Sequence, residues 1–467
     1  MKATHMLPGA RCQQLATSRS QLRPSAIPSP PPPPQTLIYR LSTQLRSAAP
    51  RVVVAGNDSS SPDEEQISNP DPHPATALAQ HRFWETQPVR QFKDGLGPSL
   101  VEGPIEQPTP VDAVKQEPYN LPALYEWTTC DMDDDRTCAE VCNLLRDNYV
   151  VNEASTFRLS FSKEFLRWAL CPPGYFKSWH IGVRVKATQK LVSFITGVPS
   201  RIRVRREVVR MAEVNLLCVH KKLRSKRLAP VMIKELTRRA HLENVWQAAY
   251  TGGLLLPTPI ATCRYWHRSL NPKKLVDVRF YRLGPRMTMS RAVKLHRLPE
   301  AIVTLGFRKM ELADVPAITK LLRGFLSQFF IAADLDEKDV EHWLLPVENV
   351  VDSYVVQKPG TNELTDFCSF YTLSSSILNN QNHSVLKAAY SLYNVSTKTP
   401  LHQLVNDALI VAKKEDHDVF NALDIMHNHA FLDKLKFGPG DWRRHYYLYN
   451  YRIPFALRSP ALGLVLL

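Results

Sequence analysis

Ala212-Glu213-Val214-Asn215-Leu216-Leu217-Cys218-Val219-His220-Lys221-Lys222-Leu223-Arg224-Ser225-Lys226-Arg227-Leu228-Ala229-Pro230 is the stretch on which the fold turns. Its first eight residues are mostly apolar and of strand length, so Ala212 to Val219 reads as a buried strand. From Ala229 to Leu242, Val231, Ile233, Leu236 and Ala240 recur at helical spacing, and Val245 to Tyr250 is a strand again. Strand, helix and strand in that order make a βαβ unit within a mixed α/β sheet. Between strand and helix lies the densest basic cluster of the chain. A basic turn leading into a helix N-terminus offers an anion free N–H groups, the helix dipole and charge-assisted hydrogen bonds. The bland alternative is a solvated basic loop. The strand–turn–helix context favours phosphate, and the lack of interleaved aromatics disfavours nucleic acid.

The same order recurs downstream. Phe307 to Ile318 reads as a short strand, an acidic N-cap region and a helix running to about Phe329. Val350 to Val356, Leu364 to Thr372 and Ala388 to Val395 are strands, Pro400 to Lys413 a helix, and Phe420 to Met426 and Tyr446 to Tyr451 further strands. Upstream, Thr137 to Tyr149 and Ser162 to Leu170 are helices, the second capped by Ser162, and His180 to Val185 and Lys190 to Val198 are strands. Two passes of helix, β-meander, strand and helix indicate an internal duplication visible in pattern only.

The chain has 467 residues, 44% apolar and 22% charged, with 59 Lys+Arg against 44 Asp+Glu, a formal charge of +15. That balance favours an anionic partner. Eight scattered cysteines without a CxxC pair read as reduced thiols, so neither a disulfide framework nor a zinc site is indicated, and no metal is expected. No run of about 18 apolar residues exists to span a bilayer. Twenty of the 36 prolines precede residue 125. Residues 1–57 lack Asp and Glu, carry seven Lys/Arg and include Pro30 to Pro34; they read as a disordered extension with features of an organelle-targeting segment. Residues 58–80 turn acidic, completing a disordered stretch over 1–80. The segment His81 to Val89 (HRFWETQPV) places aromatics in a turn-rich strap, expected to lie on the folded body either as packing or over a ligand.

The run Glu213 to Arg227 resembles the signature of the N-myristoyltransferases (glycylpeptide N-tetradecanoyltransferases). So do His81 to Val89, Thr262 to Pro272 (TCRYWHRSLNP), Lys436 to Asp441 (KFGPGD) and the terminal Gly463-Leu464-Val465-Leu466-Leu467. The resemblance runs from about His81 to the last residue and is to plant-like members. It implies two acetyltransferase-like halves with pseudo-twofold symmetry, built of mixed twisted sheets flanked by helices: an acyl-CoA-binding half at 81–297 and a peptide-binding half at 298–467. It implies a monomeric cytoplasmic enzyme of lipoprotein biosynthesis with no permanently bound cofactor. Myristoyl-CoA would be its co-substrate, proteins with N-terminal glycine its acceptors, and a ribosome or membrane surface a further partner. His81, Arg82, Phe83 and Trp84 would line the acyl-CoA site, Leu217, Cys218 and Val219 would flank the thioester, and Ser225, Lys226, Arg227, Leu228 and Ala229 would hold the phosphates. The backbone N–H groups of Leu216 and Leu217 would form an oxyanion hole. Asn215 and Thr251 would hold the glycine amine, and the α-carboxylate of Leu467 would be the base. Phe157, Leu159, Phe161, Tyr265, His267, Ser375, Tyr390, Gly438 and Asp441 would contact the peptide.

Residue chemistry sets simpler alternatives beside these roles. Cys218 in an apolar strand is more naturally a core thiol than a nucleophile. His267 between Trp266 and Arg268 is a structural histidine or, if the carboxylate fails, the next base to consider. The chain also departs from the family pattern. Leu216 stands for Phe, Val151 to Thr156 replaces an acidic loop, Leu159 and Phe161 alter two aromatic groove positions, Gly253 stands for Ala, and Trp442 interrupts Gly-Asp-Gly, where its indole is expected to crowd the groove. Two main functions follow: an active N-myristoyltransferase with altered peptide preference, or a diverged, weakly active or inactive acyl-CoA-binding paralogue; a minor third is another acyl transfer, such as Lys acylation, on the same scaffold. Because the CoA loop would sit in the other half, altering the carboxyl end is expected to change acyl-CoA affinity little.

Overall fold

The meander, helix and parallel strand that follow one another twice along the chain are also the two units from which the sheet is assembled. The computed structural model describes residues 81–94, 100–149 and 156–467, so the expected extension at 1–80 and most of the loop at 151–156 lie outside the described residues. The first pass runs β1 (Tyr125–Thr129), α1 (Asp135–Asn148), β2 (Phe157–Ser160), α2 (Lys163–Leu170), β3 (His180–Val185), β4 (Leu191–Val204), β5 (Glu207–Val219), α3 (Leu228–Leu242), β6 (Gln247–Gly252) and β7 (Ala261–Ser269). After α4 (Pro272–Asp277) and α5 (Met289–Leu295) come β8 (Phe307–Lys309), α6 (Val315–Leu326), β9 (Ile331–Ala333), α7 (Glu337–Leu344), β10 (Val351–Gln357), β11 (Leu364–Ile377), β12 (Val385–Val395), α8 (Leu401–Lys414), β13 (Val419–Leu423), α9 (His429–Leu432), β14 (Gly438–Tyr449) and β15 (Leu462–Gly463). Ser162 caps α2 by accepting the Phe165 N–H at 3.0 Å, as the sequence suggested.

β3, β4 and β5 form an antiparallel meander and β5 pairs parallel with β6 across α3. β10, β11 and β12 repeat this, with β12 parallel to β13 across α8. The expected pair of sheets is in fact one. The last strand of each pass crosses over: β14 lies between β6 and β7, and β7 lies between β14 and β13. The resulting order, β1-β3-β4-β5-β6-β14-β7-β13-β12-β11-β10-β8, reads alike from both ends, with the pseudo-twofold between β14 and β7. Neither central strand was fully legible. β7 is masked by its Arg, His and Trp content, and β14 starts at Gly438 rather than Tyr446 because a bulge at Gly440 to Trp442 breaks its alternation.

Helix α3 packs Met232 and Leu236 on Ile195 and Ala212, and α8 packs Leu404, Val405 and Ala408 on Phe370, Ala389 and Phe420. The other face carries α1, α2, α6 and α7 through Val141, Phe165, Leu322 and Val340, together with the tail residues Leu464 and Leu466. Both tail leucines are 2% exposed. At about 1.5–3 kcal/mol per buried leucine, their burial offsets the fraying usual at a chain end.

In the second pass the turn between β12 and α8 closes on an internal anion. The fully buried Asp366 carboxylate accepts the N–H groups of Thr397 (2.6 Å), Lys398 (2.9 Å) and Thr399 (3.2 Å), and the Thr399 hydroxyl at 2.9 Å. Asp366→Ala would leave these buried donors unsatisfied. We expect a loss of about 2–4 kcal/mol in unfolding free energy, read from urea denaturation, with a conservative surface substitution such as Lys358→Gln within about 0.5 kcal/mol of the parent.

Candidate active site

Strand β5 breaks register in its middle. Phe194 of β4 faces Cys218 and Thr196 faces Asn215, so Leu216 and Leu217 stand opposite Ile195 alone. Leu216 takes a left-handed conformation, φ 53°, which costs a branched residue of this kind about 1–2 kcal/mol. The parallel register of β5 with β6 covers only Met211 to Val214. From Asn215 onward the two strands part, and the bulge takes the backbone of Leu216 and Leu217 out of the ladder, the arrangement that a pair of oxyanion donors requires. Cys218 beyond it is 2% exposed. Burial pushes its thiol up to about 12, against a smaller opposing pull from Arg224, so it is a core thiol without nucleophilic character.

The basic turn follows. Ser225 (φ 67°) and Arg227 (φ 58°) are both left-handed, and α3 starts at Leu228 without a side-chain cap. Its first N–H groups, from Leu228 and Ala229, are therefore open to an anion. Lys226 and Arg227 are exposed, and among the described residues neither has a carboxylate partner. The Ser225 hydroxyl is buried with no partner among the described residues. Arg224 points back instead, donating to the carbonyls of Val219 (3.5 Å) and Asn148, and the Asn148 side chain accepts the Lys221 N–H at 3.1 Å. The turn is thus fastened to the end of α1.

The strap runs along the β6 side of the opening. Trp84 stacks on Tyr250 of β6 (5.4 Å, 10°), Phe83 meets Trp84 edge-on (5.2 Å), and the His81 and Phe92 rings are 6.2 Å apart. Arg82 is exposed. The Tyr449 hydroxyl donates to Gln87 and the Asn450 N–H to the Pro88 carbonyl, which ties the strap to the end of β14.

The carboxyl end comes back onto β5. The Leu467 N–H donates to Glu213 Oε1 at 3.1 Å, and Asn215 Nδ2 donates to the same oxygen at 2.9 Å. Arg444 Nη2 donates to a carboxyl oxygen of Leu467 and to Thr251 Oγ1, both at 2.8 Å, while its Nη1 donates to the Tyr265 hydroxyl at 2.6 Å. Leu467 is thereby bonded to the strand that leads into the basic turn. A cavity of about 230 Å³ adjoins this cluster, with Glu213 and Leu467 in its wall beside Trp168, Val198, Met211 and Leu464. Glu213 is 9% exposed. Burial raises its carboxyl above the usual range, against the Asn215 and Leu467 bonds and the Arg444 charge.

Peptide-side candidates form a second cluster. Tyr265 meets Tyr390 edge-on (6.0 Å), and Tyr390 stacks on Tyr371 (5.1 Å). His267 Nδ1 is 2.6 Å from Asn421 Oδ1, and Gly438 is its register partner on β14. Burial lowers the His267 imidazole, partly offset by Asn421 and Asp441, which leaves it neutral near pH 7. A Cβ at Gly440 would collide with this ring, so the bulge residue must be glycine. Asp441 is exposed; Ser375 faces Leu159 across β11 and β2. Phe157 meets Phe280 edge-on at 5.9 Å. Phe161 stands apart from the group, 8% exposed and packed on Tyr149 and Phe165. The crowding expected of Trp442 does not occur. Its indole is 49% exposed and lies over Gly253, where even an added Cβ would stay at 3.4 Å.

Sequence reasoning passed over Glu213 and Arg444, although both left a trace. Glu213 and Asn215 share one face of a strand at a spacing of two, and Arg444 shares a face with Tyr446 and Leu448. A charged residue on a core face marks a buried polar cluster.

Residues 104–263 match the N-terminal domain, and residues 277–460 the C-terminal domain, described for myristoyl-CoA:protein N-myristoyltransferase. Glycylpeptide N-tetradecanoyltransferase 1 of Arabidopsis thaliana is 69% identical over 387 residues, 83% of this chain and 89% of that protein. Glycylpeptide N-tetradecanoyltransferase 2 of Bos taurus is 50% identical over 83% of this chain and 77% of its own. The crystal structure of Saccharomyces cerevisiae N-myristoyltransferase with bound myristoyl-CoA superposes with a TM-score of 0.80 at 39% identity, over 84% of this chain and all of that one. With both domain descriptions met in order and identity this high along most of its length, the chain belongs to the myristoyl-CoA:protein N-myristoyltransferase family.

Proposed function

We propose that this protein transfers the myristoyl group of myristoyl-CoA to the N-terminal glycine amine of proteins, by direct attack on the thioester. The observation that carries the reading is the meeting of the chain end, Asn215 and Thr251 in one hydrogen-bonded cluster beside the β5 bulge. An α-ammonium with pKa near 8 is mostly protonated at neutral pH and cannot attack. The Leu467 carboxylate accepts its first proton, and Thr251 and Asn215 hold the resulting amine. The nitrogen then bonds to the thioester carbonyl carbon, and the Leu216 and Leu217 N–H groups receive the oxyanion. As the C–S bond breaks, the second proton leaves nitrogen and the sulfur departs as the CoA thiol.

Ser225 to Ala229 hold the CoA phosphates, through the start of α3 and the exposed Lys226 and Arg227. His81, Arg82, Phe83 and Trp84 border the CoA, Leu217, Cys218 and Val219 flank the thioester, and the apolar cavity beside Leu467 takes part of the acyl chain. Phe157, Leu159, Tyr265, His267, Ser375, Tyr390, Gly438 and Asp441 line the peptide path, with Phe161 as support beneath it. We place the reaction in the cytosol as a step of lipoprotein biosynthesis, by a monomer. The unpaired cysteines among the described residues suit a reducing compartment, and the charge of +15 suits an anionic ribosome or membrane surface.

The direct test is a single-turnover assay with myristoyl-CoA and a peptide beginning with glycine. Removing Leu467 draws the carboxylate back by about one residue, ~3.5 Å, and extending the chain with a tag converts it to a neutral amide. We expect a loss of at least about 10²-fold in the transfer rate; a tagged enzyme turning over at the parent rate would move the base elsewhere, with His267 next in line. Lys226→Ala with Arg227→Ala should weaken myristoyl-CoA binding by at least about 10-fold at low salt, since a hydrogen bond to a charged group contributes about 1.5–3 kcal/mol. The salt dependence should flatten in the same titration.

Glu213 yields a pH prediction. Its carboxyl binds a proton more tightly folded than unfolded, so the folded state loses stability as pH rises from about 4.5 through the raised folded value. Glu213→Gln, which keeps the acceptor for Leu467 and Asn215, should show no such loss. Urea denaturation from pH 4 to 8 should find the variant gaining on the parent above about pH 4.5 and the gap levelling off once Glu213 is ionised.

A further inference from the structure

We infer that Arg444 occupies the ammonium subsite of the resting enzyme, so that an incoming N-terminal glycine must displace an internal cation. One guanidinium nitrogen, Nη2, bridges the Leu467 carboxylate and Thr251 Oγ1 at 2.8 Å each. These are the groups to which the proposed reaction assigns the substrate ammonium, so the inference rests on that reading. The contacts an ammonium would make are made by a side chain that is always charged and has no acceptor to offer an amine. The Oε1 of Glu213 is already shared by Leu467 and Asn215.

The geometry also supplies a way out. Arg444 sits at the edge of the β14 bulge, where Gly440 to Trp442 face a single residue of β7, and its neighbours Trp442 and Arg443 are exposed. Of its three bonds only the one to Tyr265 lies outside the amine subsite, and the guanidinium carbon is 6.0 Å from the Tyr265 ring centre. When the two subsite bonds are given up, the Tyr265 hydroxyl and ring face remain to hold the side chain. Two cations cannot share Nη2's place, so the occupant sets how much of the ammonium's affinity the enzyme realises.

Calorimetry separates this from a structural role. Parent, Arg444→Gln, Arg444→Leu and Arg444→Lys would each be titrated, with a nonhydrolysable myristoyl-CoA analogue bound, against a Gly-Asn peptide and its N-acetylated form, which lacks the ammonium. Both neutral variants should bind the free-amine peptide at least about tenfold more tightly than the parent does. The acetylated peptide should stay within about twofold, and Arg444→Lys, which keeps a cation, should resemble the parent. Gln, polar but too short to hold the guanidinium's place, serves if Leu disturbs folding, and unchanged affinity for the analogue verifies the fold. No gain, or a loss, for the free-amine peptide in the neutral variants overturns the inference. Acyl transfer measured on the same samples keeps the two ideas apart. A gain in ammonium affinity with no CoA released by any of the four proteins would sink the transferase reading alone; normal transfer without the gain would sink the Arg444 proposal alone.

Discussion

A single left-handed leucine in the middle of β5 governs what the site can be. With φ at 53°, Leu216 inserts one residue against β4 and ends the pairing of β5 with β6 at Val214. A regular strand at this point would carry the pairing on along the rest of β6, which runs to Gly252. Because it does not, the chain end can approach from one side and bond Glu213, while the basic turn that follows β5 faces the other way into α3. Backbone strain of this kind persists only where surrounding packing enforces it. Here the enforcing groups are Cys218 and Met211, buried under α1 and α2, and Ala212, buried under α3.

The second constraint is electrostatic. Threading a carboxylate into the interior demands a partner, since a buried unpaired charge is far costlier than a paired one. Two carboxyl groups, Glu213 and the Leu467 end, lie in series along one hydrogen-bonded path, and one guanidinium serves the pair. A base that works only when a substrate cation arrives is unstable while it waits. An internal cation resolves the conflict, and it does so at the expense of competing with the substrate for the same oxygens.

Much of this could be read in the sequence, and the misses share a cause. The βαβ unit, the basic turn and the buried apolar tail were legible because each is a local pattern: a strand-length apolar run, a charge cluster before a helix, alternate leucines at the end. The merging of two sheets into one was not, because β7 and β14 meet partners about 180 residues away and both carry Arg and His among their core positions. Arg444 was overlooked for the same reason that Trp442 was overrated. Side-chain size and charge are visible in a sequence, but the direction in which a bulged strand points them is not.

The duplication gives the chain two bulged strands, each followed by a turn into a helix, and the two turns use their donors differently. β12 repeats the irregularity of β5: Cys368 faces Asn394 and Phe370 faces Ser391, so Leu392 and Tyr393 stand opposite Ser369. There, however, the Tyr393 N–H is taken by the Ser369 hydroxyl at 3.3 Å, and both bulge residues are 6% exposed. The turn that follows, Ser396 to Pro400, is the counterpart of the basic turn before α3, and its N–H groups are already satisfied by Asp366. An aspartate stands in the second unit where the first has no side-chain cap. The two units thus differ less in backbone than in whether their donors are filled from within, and one buried carboxylate is enough to turn an anion site into part of a core.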